Sequence, residues 1–87
     1  MNSKSDSDCA YLERVSVSRR VLRFYRLAVE TNLFGDWVVV REWGRIGRPA
    51  RSKDEWFASL TDARAALMRR RRAKERRGYT SAPYEGA

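Results

Sequence analysis

Histidine is absent from this chain and cysteine occurs once, as Cys9. Without histidine a zinc site from this chain alone is not expected, and a single cysteine cannot close an internal disulfide. Cys9 ends a polar opening stretch and reads as an incidental thiol rather than a redox centre. The same scarcity bears on catalysis. The chain offers no nucleophile–base pair and no glycine-rich phosphate loop leading from a strand into a helix, and its carboxylates are scattered, mostly near an arginine. It is therefore expected not to be an enzyme and to need neither metal nor cofactor. Long apolar runs are missing too, and the start Met1-Asn2-Ser3-Lys4-Ser5-Asp6-Ser7-Asp8 lacks a secretory core. A cytoplasmic location without membrane contact is expected from this.

Lysine is scarce. Of 19 basic residues only Lys4, Lys53 and Lys74 are lysine, leaving 16 arginines, and with 11 acidic residues the formal charge is +8. The arginine fork suits phosphate and stacks on rings, so this bias points to a polyanion. Charge alone leaves ribosomal contact, an acidic protein and an anionic surface open as well.

Hydrophobic residues make up 43% of the 87, with three Trp, four Tyr and three Phe, which is too rich in large apolar side chains for a disordered chain. A domain this small buries only about 60–65% of its unfolded surface, so one helix layered on one sheet is near the limit of what its core supports. Residues 1–9 read as a disordered lead-in, 10–80 as a single domain expected to be monomeric, and 81–87 as a loose tail.

Tyr11, Val15 and Val17 at even spacing suggest an edge strand over residues 10–17. Residues 21–31 form a stronger strand, with Leu22, Phe24, Arg26 and Ala28 on one face and Tyr25, Leu27 and Val29 on the other. Asn32-Leu33-Phe34-Gly35-Asp36 supplies a tight reversal into a third strand, 36–46. There, Trp37, Val39, Arg41, Trp43 and Arg45 share a face, and Gly44 opposite permits a bulge or a close backbone approach. Gly47-Arg48-Pro49 breaks this strand, and 50–58 returns as a fourth. Trp37 and Trp56 are expected in the core. Ser59-Leu60-Thr61-Asp62 matches a helix cap, and a helix follows over 61–77 with Leu60, Ala63, Ala66 and Leu67 as its apolar stripe. Gly78 terminates it, and Tyr79 is placed to fold back. This order predicts an α+β domain, an antiparallel sheet of about four strands with one long C-terminal helix packed on it.

Two constellations carry the chemistry. The helical run 69–77 holds Arg69, Arg70, Arg71, Arg72, Lys74, Arg76 and Arg77. Cations favour a helix C-terminus, but four consecutive arginines cover the whole circumference and repel one another, which favours a phosphate-facing role over a merely solvated face. Trp43 lies between Arg41 and Arg45 on one face beside a Gly-Pro turn. Its ring suits stacking on a base or sugar while arginines hold phosphate; the alternative is that Arg41 or Arg45 simply covers it by cation–π contact.

On Trp43-Gly44-Arg45 the chain resembles the WGR domain family. The resemblance includes Arg23-Phe24-Tyr25, the extended Glu42-Trp43-Gly44-Arg45-Ile46-Gly47, Ala63 near the helix start, and Lys74-Glu75-Arg76-Arg77-Gly78-Tyr79, and it covers about residues 10–80. It implies an antiparallel sheet with a helix across it. In DNA-damage-responsive poly(ADP-ribose) polymerases the domain binds DNA at a strand break, with the motif tryptophan against a terminal nucleotide sugar and basic residues on the backbone. The motif arginine there also makes contacts between domains. Carried over, Trp43 is the stacking residue, Arg45 the adjacent anion or partner contact, and Tyr25, Gly44, Gly47, Gly78 and Tyr79 the structural motif. No catalytic domain accompanies these residues, so ADP-ribosylation is not implied. Where relatives often keep apolar residues in the second half of the helix, this chain has Arg69 to Arg72. The sequence thus predicts a module binding DNA at duplex ends with little sequence specificity, through Trp43, Arg41, Arg45, Arg48, Arg69, Arg70, Arg71, Lys74 and Arg77. An adaptor for an acidic protein, with Trp43 as anchor, and an RNA binder are the alternatives.

Overall fold

Val21–Thr31 carries Val21, Phe24, Tyr25, Val29 and Thr31, β-branched and aromatic residues that favour a pleated, half-buried surface, and it is the central strand of the sheet. The computed structural model describes residues 8–83. Its elements are β1 (Cys9–Ser16), β2 (Val21–Thr31), β3 (Trp37–Arg45), β4 (Arg51–Phe57), α1 (Leu60–Arg76) and β5 (Thr80–Ser81). All five strands lie in one antiparallel sheet, in the order β4-β3-β2-β1-β5. The fold is α+β as expected, with the short β5 as one strand more than the predicted four. β5 pairs with β1 at Leu12 and Glu13, so the expected edge strand is partly covered. The soft lead-in and tail concern, in residues 1–7 and 84–87, positions outside the described residues.

The Asn32–Asp36 reversal is held by the Asn32 side chain, whose Oδ1 accepts from the amides of Phe34 (2.9 Å) and Asp36 (3.0 Å). This fixes the β2–β3 register, in which Tyr25 faces Trp43 and Arg23 faces Arg45. At the helix start Ser59 Oγ accepts from the Asp62 amide at 3.1 Å, the cap anticipated from sequence. At its end the Gly78 amide donates to Glu75 O and the Tyr79 amide to Lys74 O, with Gly78 at φ 97°, a Schellman closure. Tyr79 then turns back onto the core beside Tyr25, ring centroids 6.4 Å apart.

The helix covers one face only, where Leu12, Tyr25, Leu27, Val29 and Val39 meet Ala63, Ala66 and Leu67. Two sequence expectations change: Trp56 is not in the core, and Cys9 is not part of the tail. Leu12 is the buried residue of β1, while Val15 is 52% exposed because the odd positions of that strand point away from the helix, and Val17, in the following turn, is 84% exposed. Trp56 is likewise on the uncovered face, 59% exposed, whereas Trp37 packs against the core. Cys9 is the first residue of β1 rather than part of the tail. At Gly44 the structure takes the close backbone approach rather than the bulge: Gly44 pairs in register with Phe24, and backbone atoms of Pro49 and Ala50 lie about 3.6 Å from where a Cβ would stand.

Candidate nucleic-acid interface

Antiparallel register places directly paired residues on one face, so sequence positions far apart become rows across the sheet. On the helix-covered face, one row reads Leu12, Tyr25, Trp43, Arg51. The next, toward the β1–β2 and β3–β4 turns, reads Arg14, Arg23, Arg45. Three like charges directly opposite one another destabilise a sheet, and no carboxylate among the described residues forms an ion pair with any of the three.

From these rows Trp43, Arg51, Arg23 and Arg45 border an open groove of about 680 Å³, lined also by Gly44, Arg48, Pro49, Lys74 and Tyr79. Five of these residues are cationic and none is acidic. Trp43 is half-buried: its inner side packs on the core, its ring centroid is 6.3 Å from that of Tyr25, and it also borders the groove. The Lys74 ammonium lies over the Tyr25 ring at 4.6 Å and near the Tyr79 ring at 5.4 Å, a cation held by two π faces. Burial lowers its pKa from the usual lysine range, and repulsion from Arg77, Arg41, Arg23 and Arg70 adds to this. An anion in the groove relieves that repulsion.

A second, smaller groove on the helix side of Trp43 is bordered by Tyr25, Arg41, Arg70, Ala73, Lys74 and Arg77. Arg41 stands with its guanidinium carbon 5.7 Å from the Trp43 ring centroid, so one side of the ring has the cation–π neighbour considered from sequence. Its Nε is buried without a hydrogen-bond partner among the described residues.

Of the residues singled out from sequence, the main groove gathers Trp43, Arg45, Arg48 and Lys74, while Arg41, Arg70 and Arg77 border its neighbour. Arg70 is also tied to Glu55 at 2.7 Å, an ion pair that draws the Glu55 carboxyl below its usual pKa through the hydrogen bond. Arg71 donates to Glu75 at 3.3 Å and to Ser81 at 2.9 Å, outside both grooves. Arg69 is exposed beside Glu55 and Ala66. Sequence reasoning did not single out Arg14, Arg23 or Arg51 as binding residues. The signal lay in the register: once the Asn32–Asp36 turn is closed, Arg23 must face Arg45.

A family model described as WGR domain matches residues 8–85. A relative described as uncharacterized protein y4dW of Sinorhizobium fredii (strain NBRC 101917 / NGR234) is 38% identical over 73 residues, 84% of this chain and 36% of the relative. The chain thus spans about a third of the length of the curated relative it matches. No solved structure gives a significant match. WGR domains are in general non-catalytic, nucleic-acid-binding modules. With the match covering nearly all of its length, this chain belongs to the WGR domain family.

Proposed function

We propose that this protein is a non-enzymatic DNA-binding module that engages duplex ends or breaks. The observation that carries the reading is the groove around Trp43, where five cations and two aromatic rings meet with no carboxylate in the lining. A half-exposed ring stacks on a terminal nucleotide, which presents a free π or sugar face that internal nucleotides hide. Arg23, Arg45, Arg48, Arg51 and Lys74 hold the adjoining phosphates. Arg41 steadies the ring from its other side, and Arg70 and Arg77 extend the positive field along the helix. Stacking and phosphate contact use groups common to every base, so little sequence specificity follows.

Anisotropy titration of a blunt linear duplex at several salt concentrations tests this reading. Five phosphate contacts give a slope of log affinity on log salt of about −4.5. Trp43→Ala weakens end binding by ~1–3 kcal/mol, about 5- to 150-fold. Equal binding to a polyglutamate of similar charge, with no effect of Trp43→Ala, overturns the reading. A second reading, an adaptor for an acidic protein, is favoured by one observation: Val15, Val17, Leu22 and Ile46 are all exposed at the cationic end of the uncovered sheet face. RNA in the same titration separates the remaining polyanion.

A further inference from the structure

The β1–β2 turn, residues 17–20, lies at the same end of the sheet as the β3–β4 turn that carries Gly47 and Arg48. Arg19 and Arg20 are both exposed there, and no carboxylate among the described residues pairs with either. Arg20 has φ 55°, in the left-handed region, where glycine or asparagine is the less strained choice. The turn is closed by the Arg20 amide donating to Val17 O at 3.1 Å, a backbone contact that needs no arginine side chain. Neither turn geometry nor local pairing accounts for two adjacent arginines at this place. Continuity of charge does, because Arg23, in the row Arg14, Arg23, Arg45, is only three residues along β2 from Arg20.

We propose that Arg19 and Arg20 form a second phosphate-contact point, which holds the nucleic-acid strand about three nucleotides beyond the phosphate held at Arg23. The spacing follows from two repeats of nearly equal length. Three residues of strand span about 10 Å at ~3.4 Å each, and a DNA strand carries one phosphate per ~3.4 Å of duplex axis. The turn therefore meets a phosphate beyond those held in the groove, and the bound segment extends around the end of the sheet. This rests on the proposed function, since it assumes that the groove holds nucleic acid.

The test compares wild type, Trp43→Ala, Arg19→Ala/Arg20→Ala and Arg20→Gly on one blunt duplex, by anisotropy across a salt series, with melting temperature measured for each. The double variant keeps its melting temperature, and its salt slope becomes shallower by about 1 for each arginine lost. Arg20→Gly melts at the wild-type temperature or above, because glycine accepts the left-handed conformation, and still loses about 1 in slope. A slope unchanged in both turn variants, with Trp43→Ala weakening binding, overturns the second contact point and leaves the groove standing. Loss of slope in the turn variants only in step with loss of folding also overturns it. If Trp43→Ala changes nothing either, the underlying DNA-end reading fails and this inference fails with it.

Discussion

Trp43 does two things at once, which sets how it must be tested. Its inner side packs on the core and its outer side borders the groove, so Trp43→Ala lowers stability as well as affinity. Trp43→Phe keeps a ring at the site and is expected to recover most of the stability and part of the end binding, as read by melting and anisotropy on the same samples. Glu55 offers an independent probe of the helix. Its hydrogen bond from Arg70 holds its pKa below the ordinary 4.5, so the pair contributes stability above that value and loses it as the pH falls through the lower folded-state pKa. Both partners are about a third exposed, so the contribution is on the order of 0.5 kcal/mol. Thermal melting between neutral and acidic pH should show a smaller acid-induced loss in Glu55→Gln. Lys74 has the opposite sign. Its folded pKa is depressed, so its charge opposes folding at neutral pH, and that penalty is relieved as the pH rises toward 10.5.

The elements carry most of their instructions locally, and this is where the sequence was most legible. Alternation placed β2 and β3, Asn32 and Gly35 announced the hairpin, and Ser59 and Gly78 bounded the helix within a residue of its observed ends. Ser59→Ala should cost ~1 kcal/mol by leaving the Asp62 amide uncapped. Gly78→Ala should cost about as much, since φ 97° is strained for alanine. Leu67→Ala removes a fully buried side chain from the one helix–sheet interface and should cost ~2–5 kcal/mol, a large share of the stability of so small a domain. Denaturant unfolding checks all three. Alternation tells which residues share a face but not which face a lone helix will cover. For that reason Trp56 was expected in the core and turned outward, while Leu12 went in. The same limit hid part of the groove: Trp43 and Arg45 were readable from one strand, whereas Arg23 and Arg51 join them only through cross-strand register.

Among the described residues many of the charges segregate toward the two ends of the sheet, with Glu13, Glu42, Asp54 and Glu75 as exceptions. Arg14, Arg19, Arg20, Arg23, Arg45, Arg48 and Arg51 gather at the end where the β1–β2 and β3–β4 turns lie. Asp8, Glu30, Asp36, Glu55 and Asp62 lie toward the opposite end, near the β2–β3 reversal and the helix start. A dipolar distribution of this kind orients the protein as it approaches a polyanion and raises the association rate most at low salt. No helix among the described residues is long and apolar enough to cross a membrane, and no cluster of possible metal ligands occurs among them. If Trp43 selects a terminal nucleotide, affinity must depend on free ends and not only on phosphate density. The direct measurement is competition for a labelled blunt duplex by unlabelled linear DNA and by the same DNA closed into a circle, matched in base pairs. The account predicts that linear DNA competes better, in proportion to its ends, and that Trp43→Ala removes the difference. Equal competition by circle and line in the wild-type protein would contradict it.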